Sequence, residues 1–229
     1  MTYVMSDIHG DSKSFFALLD KINFCDKDTL YILGDVCDRG PDPMSVYIKA
    51  MESENIILLK GNHEQMAIGC LSSITDETNL DNMTDFVLWL ENGGETTVNS
   101  FLELDTQKRN EVFEYMLTLP LAKNVTVGDK TYVLAHAGLS NFSESKALES
   151  YTEDEVLWKR PDFNAKLWQD TNKKLVVGHT PTFLIENNIK PCIYHGNGSI
   201  IDIDCGAGFP EYGGRLSAFC LETMKEYYL

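Results

Sequence analysis

The sequence predicts an α/β fold built on a parallel β-sheet, and three observations lead to this prediction. Short apolar runs and helical stretches alternate over the first 60 residues. The runs are apolar at successive positions, which is typical of strands that are covered on both faces. Groups of His, Asp and Asn residues follow the runs directly, at intervals of 28 and 27 residues, about the length of one strand-helix unit. The first part of the chain therefore indicates consecutive β-α-β units.

The elements of this first part follow from the spacing of apolar residues. Between the runs, apolar residues recur at helical spacing, and Ser12 is placed to act as the N-cap of the first helix. The second run ends in a Gly- and Pro-rich turn that separates it from the next helix. The predicted strands cover residues 2–6, 29–33 and 56–59, and the predicted helices cover residues 12–22 and 44–53.

A helical insertion is predicted in the middle of the chain, at about residues 72–119. Apolar clusters there end in Gly93-Gly94 and Pro120, residues that commonly terminate helices. Short β-type runs return after the insertion, and Gly128-Asp129 between two of them indicates a hairpin turn. These later strands are predicted at residues 125–127, 131–135, 175–177, 200–203 and 216–221.

Composition excludes several classes of protein. The chain is 229 residues long and 43% hydrophobic, which is too apolar for a disordered chain and sufficient for a full core. Its formal charge of −16 opposes non-specific binding to nucleic acid and to anionic membranes. The sequence has neither a long apolar span nor a secretory signal pattern at Met1, so we expect a soluble, cytoplasmic protein.

Five groups of residues with metal-binding side chains directly follow strand-like runs. Because the carboxyl ends of parallel strands meet at one edge of a sheet, we expect the groups to converge there. Imidazole, carboxylate and amide oxygen together suit Mn, Fe or Zn, and a carboxylate from a neighbouring strand can bridge two ions. The groups are Asp7-Ile8-His9-Gly10, Gly34-Asp35-Val36-Cys37-Asp38-Arg39-Gly40, Gly61-Asn62-His63-Glu64, His136-Ala137-Gly138 and Gly178-His179-Thr180-Pro181.

The order of these five motifs resembles the phosphoprotein phosphatase branch of the calcineurin-like metallophosphoesterases. The similarity is greatest to the small lambda-type serine/threonine phosphatases of bacteria and phages. It extends over nearly the whole chain and includes the segments around Trp89 and Trp158. The resemblance implies one domain over residues 1–229, with an α/β/β/α sandwich of two sheets flanked by helices. It also implies a dimetal site at the carboxyl ends of the central strands, with manganese as the expected metal.

The resemblance also implies a role for each site residue. Asp7 and His9 would bind the first metal, Asp35 would bridge both metals, and Asn62, His136 and His179 would complete the second. His63, oriented by Asp38, would be the general acid. Arg39 and Arg160 would hold the phosphate oxygens, with Asn62 also facing the substrate.

Three functions stay open at this stage. The first is hydrolysis of phosphoserine or phosphothreonine, leaving phosphotyrosine open, by direct attack of a hydroxide that bridges the metals. The second is symmetrical hydrolysis of diadenosine tetraphosphate, because a related branch shares these motifs. The third is a degenerate binding scaffold, which the complete ligand set opposes. The expected partner is a phosphorylated protein or peptide, and the expected state is a monomer.

Cys37 leaves two interpretations open. It stands between Asp35 and Asp38, two residues of the implied site. It could be a thiol that packs inward, or a redox-sensitive position that silences the site.

Overall fold

The first sheet forms from the apolar runs at the start of the chain. A computed structural model describes residues 1–75, 83–186, 188, 190–196 and 198–229. Strands β1 (Thr2–Met5), β2 (Thr29–Ile32) and β3 (Ile56–Leu58) lie parallel, in the order that the β-α-β spacing predicts. Strands from the end of the chain extend the sheet on the other side of β1, in antiparallel orientation.

Two helices connect the parallel strands, and each begins with an aspartate cap. Helix α1 covers Ser12–Ile22, and the carboxylate of Asp11 accepts a hydrogen bond from the Ser14 backbone N at 3.0 Å. The prediction that Ser12 is the cap is therefore wrong, because the carboxylate one residue earlier reaches the free amides of the first turn. Helix α2 covers Pro43–Met51 and is capped in the same way by Asp42.

Helices occupy the predicted insertion. Gly93, with φ of 100°, adopts a conformation that other residues rarely take, and it breaks the helical path between α4 and α5. Residues 76–82 of the predicted insertion lie outside the described residues. The helices of this region are α3 (Asn62–Thr75), α4 (Met83–Trp89), α5 (Glu95–Glu103) and α6 (Thr106–Leu117).

The second half of the chain forms a second mixed sheet. The hairpin predicted at Gly128-Asp129 is confirmed: β4 and β5 pair antiparallel across a turn in which Gly128 has φ of 61°. The sheet order is β4-β5-β6-β8-β7, and a short helix, α7 (Glu153–Val156), precedes β6. The strands are β4 (Ala122–Val127), β5 (Lys130–Ala135), β6 (Lys173–Val177), β7 (Tyr194–His195) and β8 (Ile200–Asp202).

The two strands that complete the first sheet are β9 (Ser217–Cys220) and β10 (Lys225–Tyr228). Strand β9 lies within the predicted strand at residues 216–221. Strand β10 was not predicted, and neither was β7 in the other sheet. Both strands are short and half-buried or exposed, so they lack the apolar run that identifies an interior strand.

The two sheets pack face to face, and the alternation of side chains along each strand builds the layers. Tyr3 and Met5 of β1 face the helices, whereas Val4 joins the core between the sheets. In β5, Tyr132 and Leu134 face the same inter-sheet core. The fold class implied by the resemblance, a two-sheet α/β sandwich, is therefore confirmed.

The outer face of the second sheet is covered mainly by loops and single helical turns. Val133 and Val177 pack there against Trp168 and the neighbouring loop residues Leu139 and Phe142. Long helices lie on the outer face of the first sheet. Among the described residues, every helix is too short or too polar to cross a membrane.

Candidate active site

The five predicted groups meet where the parallel strands of the two sheets end. Backbone hydrogen bonds continue past the first strands: Asp7 N donates to Gly34 O at 3.1 Å, and His9 N donates to Asp35 O at 2.9 Å. In the second sheet, Gly178 N donates to the carbonyl of His136 at 2.8 Å, which aligns the loops that follow β5 and β6. These loops lie at the carboxyl ends of the strands, as the spacing predicts.

The backbone at the site is unusually strained. Among the described residues other than glycine, nine have positive φ, and six of these are predicted site residues. The left-handed conformation brings Cβ close to the following carbonyl, and strain of this kind concentrates at functional sites. The six are Asp7, His9, Asp35, Asp38, Arg39 and His179.

Asp35 lies between two groups of potential metal ligands. The first group is His9, Asp35 and His63, and the second is Asp35, His136 and His179; within each, the ligand atoms lie within 4.8 Å of one another. Oδ2 of Asp35 is 3.9 Å from His9 Nε2, and Oδ1 is 3.4 Å from His136 Nε2. Each carboxylate oxygen therefore faces a different group, as a bridging ligand requires.

Asn62 completes the second group. Its Oδ1 is 2.7 Å from His136 Nε2 and 2.9 Å from His179 Nδ1. The other nitrogen of each ring faces a backbone carbonyl, Leu33 O for His136 and Trp158 O for His179, so that nitrogen carries the proton. Lone pairs from both rings and from the amide thus point at one another, an arrangement that a cation satisfies.

His9 is prepared in the same way for the first group. Its Nδ1 donates to the Cys37 carbonyl at 3.0 Å, which leaves the Nε2 lone pair directed into the site. Burial, with further contributions from His63 and Arg39, lowers the pKa of His9 well below its ordinary value, so the ring is neutral. Neutral imidazole is the form that binds metals.

The predicted ligand Asp7 lies beside these groups. Its Oδ2 accepts hydrogen bonds from the Ser6 hydroxyl and from the His179 backbone N. In the first group His63, rather than Asp7, is the third residue within reach of Asp35. Burial, together with the charges of Asp7 and Glu64, raises the pKa of Asp35 well above its ordinary value, and a bound cation would offset this accumulation of carboxylates.

His63 and Asp38 form a buried pair. His63 Nδ1 donates to Asp38 Oδ2 at 2.6 Å, and the ring's Nε2 lies 3.8 Å from Asp35 Oδ2. Burial lowers the pKa of His63, but Asp35 and the hydrogen bond to Asp38 more than compensate, so the net change raises it. The geometry suits an acid that holds a proton on Nε2.

The helical region holds Asp38 in place. Trp89 Nε1 donates to Asp38 Oδ2 at 2.9 Å, and the Thr97 hydroxyl donates to Oδ1 at 2.6 Å. The same hydroxyl accepts from the Asp38 backbone N at 2.8 Å. Neither Trp89 nor Thr97 was predicted to belong to the site, although the segment around Trp89 belongs to the motif set.

Arg39 projects between the two histidines of the first group. One terminal nitrogen donates to His9 Nε2 at 2.7 Å, and the other lies 3.2 Å from His63 Nε2. The Arg39 backbone N donates to Gly93 O at 3.0 Å. A Cβ on Gly93 would lie 2.9 Å from Arg39 Cγ and from its backbone N, so this approach requires glycine.

Arg160 lies apart from this cluster, in the loop after α7. The Arg160 side chain is exposed. In the same loop, the carbonyl oxygen of Trp158 accepts a hydrogen bond from His179 Nε2 at 3.0 Å. Burial, the neighbouring His136 and the charge of Arg160 lower the pKa of His179 to about 3. Arg160 is therefore close enough to influence the site electrostatically.

Glu64 is a further buried residue of the site, and its role was not predicted from the sequence. Its carboxylate accepts hydrogen bonds from the backbone N of Asp35 at 2.7 Å, Val36 at 2.8 Å and Gly61 at 2.8 Å. It also accepts from the Tyr47 hydroxyl at 2.7 Å. Glu64 therefore fixes the loop that carries Asp35. The sequence feature that points to this role is the position of Glu64 directly after His63 in the motif.

Cys37 packs inward. Its side chain is fully buried in the core that includes Phe15 and Tyr47. Burial raises the pKa of the Cys37 thiol well above its ordinary value, which keeps the thiol protonated and poorly reactive. The structure agrees with the packing interpretation.

Comparison with known proteins adds to this geometry. The family model for calcineurin-like phosphoesterases matches residues 2–211. A serine/threonine-protein phosphatase 1 from Salmonella typhimurium is 30% identical over 164 residues, which cover 69% of this chain and 68% of that protein. A symmetrical bis(5'-nucleosyl)-tetraphosphatase from Proteus mirabilis is 27% identical over 142 residues, or 61% of this chain, and the match spans only 45% of its own length.

Solved structures share the fold. One protein, provisionally assigned as a diadenosine tetraphosphatase, aligns with all of this chain and 92% of its own, with a TM-score of 0.67 and 20% identity. At this identity the likeness concerns the arrangement of the chain.

Proposed function

The chain belongs to the calcineurin-like phosphoesterases, and from this premise we propose that it is a metal-dependent protein phosphatase acting on phosphoserine and phosphothreonine. The observation that carries the proposal is the position of Asp35, with one carboxylate oxygen toward each of two ligand groups. That arrangement suits two adjacent divalent ions. Phosphoesterase chemistry is common to the family; the substrate class and the roles of individual residues are the proposal.

Six residues would hold the ions. The donor set fits this purpose because His9, His136 and His179 each direct one ring nitrogen to a backbone carbonyl, which leaves the other nitrogen facing the site. Two divalent ions would supply an activated water and would neutralise charge on the phosphoryl group. The proposed ligands are Asp7, His9, Asp35, Asn62, His136 and His179, and manganese is the first metal to test.

Arg39 would bind the phosphoryl group. Its guanidinium already lies between His9 and His63, and its planar fork matches two phosphate oxygens. The hydrogen bond from its backbone N to Gly93 fixes where the side chain begins. Arg160 would contribute a second positive charge from the loop whose Trp158 carbonyl contacts His179.

His63 would donate a proton to the leaving oxygen. The alkoxide of serine or threonine is a poor leaving group, so a positioned acid has a large effect on the rate. With Nδ1 committed to Asp38, the proton available for transfer is on Nε2, which faces the reacting side. The raised pKa of His63 favours the protonated ring before transfer.

The comparisons also support a second candidate, symmetrical hydrolysis of diadenosine tetraphosphate. Two lines favour the protein phosphatase. The phosphatase relative is matched over 68% of its own length, whereas the tetraphosphatase relatives are matched over 45% and 49% of theirs. A chain of net charge −16 also opposes a substrate that carries four phosphates unless many cations line its path.

The experiment that tests the proposal compares the two substrates directly. The purified protein is stripped of metal, reloaded with manganese and assayed with a phosphothreonine peptide and with diadenosine tetraphosphate. We expect kcat/KM for the peptide to be higher by more than about tenfold, which is roughly 1.4 kcal/mol of transition-state discrimination. A higher kcat/KM for the dinucleotide would refute the protein phosphatase assignment and leave the site assignments in place.

Asp35→Asn provides the matched test of the metal assignment. We expect it to reduce the bound manganese per chain and to lower turnover by roughly 100-fold or more, because a neutral amide cannot bridge two cations as a carboxylate does. Asp129→Asn, in the exposed turn between β4 and β5, removes the same charge away from the site and should behave as the wild type. Equal metal content in both variants would contradict the bridging role.

A further inference from the structure

Three aromatic side chains form a cluster beside Arg39 that the proposed chemistry does not use. The ring centroid of Phe209 lies 4.5 Å from the guanidinium carbon of Arg39. Phe183 and Tyr212 stack at 6.1 Å with an interplanar angle of 28°. Phe209 contacts both of them through its edges, at 6.4 Å. We refer to Phe183, Phe209 and Tyr212 as the aromatic cluster.

The loop that carries Phe209 and Tyr212 is held close to the site. A Cβ on Gly208 would lie 2.6 Å from His9 Cδ2, so the loop can pass the metal-ligand region only with glycine at this position. Phe209 N donates to Gly206 O at 2.8 Å, and Tyr212 N donates to Phe209 O at 3.1 Å. These turns fix the backbone that carries both rings before a substrate arrives, which lowers the entropic cost of binding.

The cluster presents apolar surface to solvent at the edge of the site. Tyr212 is 69% exposed, and Phe183 and Phe209 are half-buried. Exposed apolar groups that touch one another next to a functional site commonly mark a recognition surface. Two exposed carboxylates, Glu186 and Glu211, are close in sequence to these residues.

The charges near the cluster indicate which ligand it fits. Glu211 stands beside Tyr212 and would repel a polyphosphate chain that placed a nucleobase on the ring. An uncharged peptide side chain placed on the same ring meets no such repulsion. The flat, exposed ring of Tyr212 suits a peptide's aromatic side chain, which gains contact area and ring-ring attraction.

We propose that the aromatic cluster is a recognition site for an aromatic side chain that flanks the phosphorylated residue of a peptide substrate. The proposal rests on the function proposed above. The phosphoryl group would bind at the edge of the Arg39 guanidinium, whereas Phe209 lies against its face, so one peptide can engage both. The cluster would thereby select among phosphopeptides by the residue next to the phosphate.

The test uses pairs of phosphothreonine peptides that differ only in Phe or Ala at one position, scanned over the three residues on each side. The readout is the ratio of kcat/KM for the Phe peptide to kcat/KM for the Ala peptide. For the wild type we expect a ratio of about five at the best position, the size of one aromatic contact. Tyr212→Ala should bring the ratio to about one, and Tyr212→Phe should restore it.

Leu117→Ala is the control for loss of exposed apolar surface. Leu117 is 46% exposed on α6, which packs on the helical face of the first sheet. The control should keep the wild-type ratio. Because the readout is a ratio within one variant, a general loss of activity or folding cancels out of it.

Three outcomes would overturn the recognition site, and a fourth would overturn the proposed function on which it rests. If the wild type hydrolyses the peptides but shows no preference at any position, or if Tyr212→Ala keeps the preference, the cluster does not read a flanking ring. If Tyr212→Ala instead lowers kcat/KM for diadenosine tetraphosphate alone, the ring site takes a nucleobase. If the manganese-loaded wild type hydrolyses no peptide at all, the proposed function itself is wrong.

Discussion

Replacing Thr97 by valine should disable the proposed acid while leaving the metal ligands intact. Valine has nearly the shape of threonine, so the substitution leaves no cavity. It removes the hydroxyl that donates to Asp38 Oδ1 at 2.6 Å and accepts from the Asp38 backbone N at 2.8 Å. Both residues are fully buried, so water cannot replace either contact.

The size of the effect follows from these two contacts. A hydrogen bond to a buried carboxylate is worth about 1.5 to 3 kcal/mol, and a buried N–H without a partner costs about 1 to 3 kcal/mol. We therefore expect the free energy of unfolding to fall by about 4 kcal/mol. Trp89 and His63 still hydrogen-bond to Oδ2, so this oxygen stays anchored and the carboxylate can rotate about it.

The catalytic consequence depends on the leaving group. Rotation of Asp38 would misplace His63, whose proton matters for an alkyl ester and hardly at all for p-nitrophenyl phosphate. We expect kcat for a phosphothreonine peptide to fall at least about tenfold and kcat for p-nitrophenyl phosphate to fall less than about threefold. Urea unfolding, metal content and both rates are measured on the same preparation.

Two variants make this prediction decisive. Thr97→Ser keeps the hydroxyl and should recover most of the peptide rate, whereas Thr118→Val, at the exposed end of α6, should match the wild type. An equal loss on both substrates would show that Thr97 does not act through the acid. Failure of serine to recover the peptide rate would mean that packing, rather than hydrogen bonding, explains the loss.

Three further substitutions test other parts of the site. His63→Asn should keep the bound manganese and slow a phosphothreonine peptide by roughly 100-fold more than p-nitrophenyl phosphate; equal slowing of both would rule out general acid catalysis. Arg39→Ala should raise KM and lower kcat for the peptide, because the guanidinium would contact the phosphoryl group throughout the reaction; an unchanged KM would argue against a role in substrate binding. Glu64→Gln should lower the free energy of unfolding by about 2 to 4 kcal/mol, since an amide cannot accept from four converging donors; an unchanged urea midpoint would contradict that function of Glu64.

The location of the site was predictable because strand-end positions follow from spacing alone. Asp7, Asp35 and Asn62 stand one strand-helix unit apart, and parallel pairing of β1, β2 and β3 brings their loops together. The second sheet and its packing against the first came from the resemblance to a family. Spacing carries no information about which face of a sheet meets another sheet.

The residues that orient the proposed acid, His63, were not predictable from the sequence. Thr97 lies 59 residues from Asp38 in the sequence. Its position in a helix does not distinguish it from an ordinary buried residue. Trp89 is equally well explained as core packing, since its ring also joins the cluster that contains Phe101. Only the path of the helices over the first sheet shows that both donors point at one carboxylate.

Six site residues have a left-handed backbone, and this conformation affects which substitutions survive when the chain is selected for stability. Each such residue costs about 1 kcal/mol relative to glycine, which adopts the same conformation freely. A library screened only for resistance to heat would therefore be enriched in glycine at positions such as Asp35 and His179, and the survivors would be inactive. Thermostable variants of this chain have to be sought at positions away from the strand ends, with activity retained as a second criterion.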